Sequence, residues 1–171
     1  MKIGFCGPSR SGKTTLARVV ADRLRWEFRE SPVTQYVDSM GMNWGKDQEH
    51  IQEDLFTLMY DRECGAPDNC VFDRTVADVL AYHQFIPDFT TRMKLYQQAM
   101  RTTTPLDLVF VCEAIGTAKI AGMFVPIDTF VLAAYAYYGP VVVIVPADTV
   151  DARLAWVLKR MTFSFVHGEG L

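Results

Sequence analysis

Apolar side chains recur along this chain in two alternating rhythms, short unbroken runs and helical spacings. Lys2 to Cys6 is an apolar run that stops at Gly7, and from Lys13 to Arg25 the residues Leu16, Val19, Val20 and Leu24 keep helical spacing. This order predicts strand, glycine loop, helix. Trp26 to Val33 reads as a second strand closed by Pro32, and Gln35 to Lys46, rich in Gly and Asn around Trp44, as a loop. Asp47 opens a helix with Ile51, Leu55, Leu58 and Met59 on one face. After a turn over Gly65 to Asn69, Cys70-Val71-Phe72 forms a brief strand that ends in Asp73-Arg74. Helices follow over Val76 to about Phe85 and Phe89 to Arg101, then strands over Leu106 to Cys112 and Val141 to Val145. Unbroken apolar strands need cover on both faces, and their alternation with helices implies a parallel sheet in an α/β sandwich.

Composition narrows the function classes. Half of the 171 residues are hydrophobic and 22% are charged, enough apolar surface for one core and too little charge for disorder. The net charge of -3 offers no general attraction to nucleic acid or anionic lipid, so neither is an expected partner. His50, His83 and His167 lack metal-ligand spacing. Cys6, Cys64, Cys70 and Cys112 form no C-x-x-C pair, which favours reduced cysteines and a cytoplasmic protein. The first apolar stretch runs into the glycine loop and does not resemble a signal peptide. Between Lys119 and Asp148 the only charged residue is Asp128, a pattern that mimics a membrane span. Pro126, Gly139-Pro140 and Pro146 cut it into pieces too short to cross a bilayer, leaving a buried helix and a buried strand as the expectation.

Gly7-Pro8-Ser9-Arg10-Ser11-Gly12-Lys13-Thr14 matches G-x-x-x-x-G-K-[ST] between a strand and a helix, the context that a phosphate-binding loop requires. Its backbone N–H groups turn toward phosphate oxygens at the positive end of the helix dipole. Lys13 would bridge the β- and γ-phosphates of ATP, and the Thr14 hydroxyl would ligate Mg²⁺. A GTPase needs N-K-x-D after a late strand, but Glu113-Ala114-Ile115-Gly116 stands there. A hexameric AAA-type motor usually ends its second-site strand in paired acids, whereas this strand ends in Asp73-Arg74. That ending argues for a kinase.

Gly7 to Thr15, together with Val71-Phe72-Asp73-Arg74-Thr75-Val76-Ala77-Asp78-Val79-Leu80-Ala81-Tyr82, resembles the P-loop nucleoside and nucleoside-monophosphate kinase group. The likeness is strongest to small members such as the ribosylnicotinamide-kinase-like and phage-type deoxynucleotide kinases. It implies the P-loop NTPase fold: a three-layer α/β/α sandwich on a five-stranded parallel sheet, with residues 1–171 as one domain. A substrate-binding insertion would cover about 30–65 and a lid about 113–125. By this resemblance Asp73 would hold Mg²⁺ and Arg74 the substrate phosphate or 5′-oxygen, the charge stabilisation that phosphoryl transfer needs.

Other roles implied by the resemblance have plainer alternatives. Asp78 would orient Arg74 or bind a ribose hydroxyl, or else cap its helix. Glu30, in Glu30-Ser31-Pro32-Val33, is similar to the base that takes a 5′-hydroxyl proton, or is an exposed strand-end acid. Gln48 or Gln52 would pair with a base edge, and Trp44, Tyr36 or Phe56 would stack on it or pack locally. The expected lid contains only Lys119 as a cation, so either Arg10 or Lys119 supplies the charge that closes over the phosphates. Arg153 sits where relatives contact adenine or orient the lid, with a helix-surface charge as the alternative. The expected activity is ATP- and Mg²⁺-dependent phosphorylation of a nucleoside or nucleoside monophosphate, a deoxy one favoured. A polynucleotide 5′-hydroxyl kinase and a regulatory ATPase are the competing readings, and the apolar Phe124 to Tyr138 segment is a candidate homodimer face.

Overall fold

The computed structural model describes residues 1–8, 10–41, 48–83, 86, 88–100, 105–113 and 141–166. In chain order the elements are β1 (Lys2–Cys6), α1 (Lys13–Leu24), β2 (Glu27–Arg29), α2 (Val33–Met40), α3 (Gln48–Gly65) and β3 (Cys70–Asp73). Then come α4 (Val76–His83), α5 (Phe89–Met100), β4 (Leu108–Cys112), β5 (Val141–Val145) and α6 (Val150–Val166). The strands form one sheet in the order β2-β3-β1-β4-β5, and every pairing is parallel.

Alternation along the central strands makes the three layers. Ile3 and Phe5 of β1 join Val71, Leu108, Phe110 and Cys112 on the face covered by Leu16, Ala17 and Val20 of α1 and Val157 and Met161 of α6. Cys6, Phe72, Val109 and Val111 point to the opposite face, against Ile51, Leu55 and Met59 of α3, Leu80 of α4 and Leu95 of α5. Phe5 and Phe110 stack with ring centroids 5.1 Å apart. The expected α/β/α sandwich with five parallel strands is the fold observed.

Three expectations are corrected. β2 has three residues, not the eight of Trp26 to Val33, because the chain leaves β3 after Arg29 pairs with Phe72. The segment read as a loop holds a helix, α2, which starts after Pro32, buries Val37 and stops at Gly41 with φ 61°. Proline before a helix and left-handed glycine after it are the usual boundary residues, but the segment shows only one buried position and hides its period. β5 is not buried. Among the described residues it pairs only with β4, and Val141 and Ile144 are 56% and 46% exposed at the sheet edge. The helix expected before β5 and the lid lie outside the described residues. Among the described residues no helix is long and apolar enough to cross a membrane.

Candidate functional site

Parallel strands bring their carboxyl ends to one side, where open α/β sheets bind ligands at the point at which the strand order reverses. β1 is flanked by β3 and β4, so Gly7, Asp73 and Glu113 emerge together. Gly7 takes φ 132°, and a Cβ there would lie 2.4 Å from the Cys112 carbonyl oxygen. Only glycine fits so close to β4 in that conformation. Gly12 (φ 72°) then turns the chain into α1, where Leu16 N–H donates to the Gly12 carbonyl at 3.0 Å.

Lys13 is 4% exposed, and its ammonium donates to the Pro8 carbonyl at 2.9 Å within its own loop. Burial lowers its pKa first and nearby Arg74 lowers it further, while Asp78 and Asp73 oppose the fall. The Thr14 hydroxyl donates to Asp73 Oδ2 at 2.9 Å. Asp73 Oδ1 is buried with no hydrogen-bond partner. A carboxylate oxygen held beside a threonine hydroxyl with one lone-pair set unused fits a hard cation such as Mg²⁺, which takes few protein oxygens and keeps water or phosphate as its other ligands.

Asp78 is buried, and its carboxylate spans two loops. Oδ1 accepts from Gly7 N–H at 3.1 Å, and Oδ2 accepts from Thr75 N–H at 2.9 Å and from the Thr75 hydroxyl at 3.4 Å. Its oxygens are thus engaged in capping α4 and anchoring the phosphate loop. Burial raises its pKa, and Arg74, Lys13 and the two amides pull it back down. Arg74 occupies the left-handed region at φ 61°, with its N–H on the Phe5 carbonyl at 2.9 Å and its guanidinium 5.9 Å over the Tyr82 ring.

Arg153 is not a surface charge. It is buried beneath the phosphate loop and donates to the Ser11 carbonyl at 2.7 Å, while its Nε and Nη2 have no hydrogen-bond partner. Burial pushes the neighbouring Cys112 thiol up to about 11, so it stays protonated. All four cysteines are free, with Cys64 exposed and the other three buried.

Of the residues expected to meet an acceptor, Glu30 is exposed and pairs with Arg18 at 3.3 Å. Gln52 is buried with Oε1 unpartnered. Phe56 is in the core, stacked on Tyr60 at 6.4 Å, and the exposed Tyr36 hydroxyl donates to Asp54. Arg10 is exposed with φ 64°. Ser9, Trp44, Lys119, the Gln48 side chain and the Phe124 to Tyr138 segment lie outside the described residues. The sequence reading missed Arg62, whose guanidinium reaches main-chain carbonyls at the ends of β2 and β3. A signal was present: Arg62 falls three residues after Met59 and seven after Leu55, in phase with the buried face of α3.

A family profile for an AAA domain, AAA_28, matches residues 2–153. No curated protein matched the sequence. Among solved structures, a deoxyadenosine kinase from M. mycoides with bound dATP superposes with a TM-score of 0.71 at 16% identity, over 95% of this chain and 100% of that one. NadR protein in complex with NR gives 0.73 at 20% identity, over 94% of this chain and 50% of the larger NadR chain. Thymidylate kinase from Ehrlichia chaffeensis gives 0.59 at 15% identity, over 95% and 98%. The shared fold is the P-loop kinase fold that the sequence led us to expect. The AAA name bears on the contrast drawn with hexameric AAA-type motors: the family is an AAA domain, while the Asp73-Arg74 ending that set this strand apart stands at the site. Because the match runs from the start of β1 into α6, it takes in every element that carries the phosphate loop and the Asp73 turn, and the chain belongs to the AAA domain family.

Proposed function

We propose that this protein transfers the γ-phosphate of ATP to a nucleoside or nucleoside monophosphate. The observation that carries the reading is the Thr14 to Asp73 hydrogen bond beside buried Lys13 and left-handed Arg74, which gathers a phosphate loop, a metal seat and a second cation at one point. The superposed nucleoside and nucleotide kinases support the acceptor class. When bound, Mg²⁺ would supply positive charge that offsets the charge developing on the transferring phosphate. Lys13 leaves the Pro8 carbonyl to meet the γ-phosphate, Thr14 and Asp73 hold the metal, and Arg74 neutralises charge on the acceptor side. Arg10 or Lys119 closes over the phosphates. Glu30 takes the proton if the acceptor is a hydroxyl, and Gln52 with Trp44 reads the base. Asp78 contributes from beneath, through the amides it anchors. The free cysteines support a cytoplasmic location, and Phe124 to Tyr138 is the proposed homodimer face.

Incubation with ATP, Mg²⁺ and a panel of nucleosides, monophosphates and 5′-hydroxyl oligonucleotides tests this reading. ADP release that depends on a nucleoside or monophosphate is expected. Release without any acceptor would instead favour an ATPase, the second reading that the AAA assignment supports, and end-labelled oligonucleotide would favour a polynucleotide kinase.

Arg153→Met removes the donor beneath Ser11 along with a buried charge whose other nitrogens are unpartnered. The lost charge-assisted hydrogen bond is worth about 1.5 kcal/mol of loop order, and if ATP must restore that order on binding it binds roughly tenfold more weakly. Calorimetric titration with ATP checks this, and unchanged affinity would remove Arg153 from the nucleotide site.

A further inference from the structure

Arg62 directs its guanidinium fork at main chain. Nη1 donates to the Glu30 carbonyl at 2.7 Å and to the Asp73 carbonyl at 3.3 Å, and Nη2 donates to Asp73 at 3.3 Å and to the Arg74 carbonyl at 2.6 Å. The guanidinium sits 5.3 Å over the Phe72 ring, and burial lowers its pKa. The placement matters because the β2 and β3 ladder ends at the Arg29 and Phe72 pair. Beyond that point the sheet register no longer ties Glu30 to Asp73. Arg74 then enters the left-handed region, which is costly for a residue with a Cβ, and its carbonyl turns to the same fork.

We propose that Arg62 is the positioning residue of the acceptor side, tying the main chain at Glu30 to that at Asp73 and Arg74 so that their side chains face one acceptor. The inference rests on the phosphotransferase reading. A planar fork suits the task because its donors lie at fixed angles and reach several carbonyls at once, whereas a lysine ammonium is a point charge on a flexible stem. The nucleotide side depends on Arg62 far less, since the phosphate loop is anchored by Asp78 and Arg153.

Arg62→Lys keeps the charge and loses the fork. Its kcat/KM for the acceptor is expected to fall about 10- to 100-fold, the scale of a misplaced reacting group. ATP affinity, read by titration, is expected to hold, and the melting temperature to fall by only a few degrees, roughly the loss of one hydrogen bond. Acceptor kcat/KM equal to wild type would overturn the inference and leave the kinase reading intact. Parallel losses of ATP affinity, acceptor kcat/KM and melting temperature would also overturn it, making Arg62 a general strut. Should Arg62→Lys not stay folded, Arg62→Ala is assayed with added guanidinium ion. Recovery of acceptor turnover supports the inference, and no recovery overturns it. A wild-type protein that phosphorylates no acceptor ends the kinase reading, and this inference with it.

Discussion

Lys13→Ala is expected to leave the chain folded and to lower phosphoryl transfer by about 100- to 1,000-fold or more, the effect of removing a single donor aimed at developing charge. The ammonium is buried but rests on the Pro8 carbonyl, so it is a charge stored at the loop and available to a phosphate. Burial and Arg74 both disfavour its charged form. Removing a charge that the fold bears at a cost disturbs stability little, whereas the reaction loses a cation at the transferring group. The expected result is a melting curve close to wild type beside a near-complete loss of acceptor-dependent ADP release. Turnover retained by a folded Lys13→Ala protein would defeat the assignment.

Asp78→Ala is expected to be the most destabilising of these substitutions. It strands the N–H groups of Gly7 and Thr75 in a buried setting, at about 1–3 kcal/mol each. For a domain of this size the loss corresponds to a fall in melting temperature of roughly 5–20 °C. Asp78→Asn keeps one acceptor oxygen and is expected to cost less. The milder variant also reports on Lys13, because Asp78 is the foremost charge opposing the fall of the Lys13 pKa. Without that negative charge Lys13 loses its proton at lower pH, so the alkaline limb of the pH–rate profile moves downward. Thermal melts of the alanine variant and the pH profile of the asparagine variant check the two halves. A melting temperature within about 2 °C of wild type, the scale of a change under 1 kcal/mol, would show that the bridging carboxylate holds nothing.

The phosphate loop was fully legible because its chemistry is local: glycines, lysine and threonine act within eight consecutive positions at a strand-to-helix junction. The central strands were legible for a related reason, since β1, β3 and β4 lie inside the sheet and carry unbroken apolar runs. α2 was not, because an exposed helix with one buried residue has almost no period to read. β5 misled in the other direction. Its all-apolar run suggested a covered strand, but strand order puts it at the edge.

By itself the sequence determined the fold class, the phosphate loop and the Asp73-Arg74 strand end, because each depends on residues adjacent in the chain. Tertiary structure alone decided what the buried charges are for. Asp78 is an anchor for Gly7, 71 residues away; Arg153 reaches Ser11 across 142 residues; and Arg62 joins two strand ends. Periodicity reports whether a position faces the core. The carbonyl or amide that waits there is set by how the sheet orders its strands, and a buried charge is tolerated only where such a partner exists.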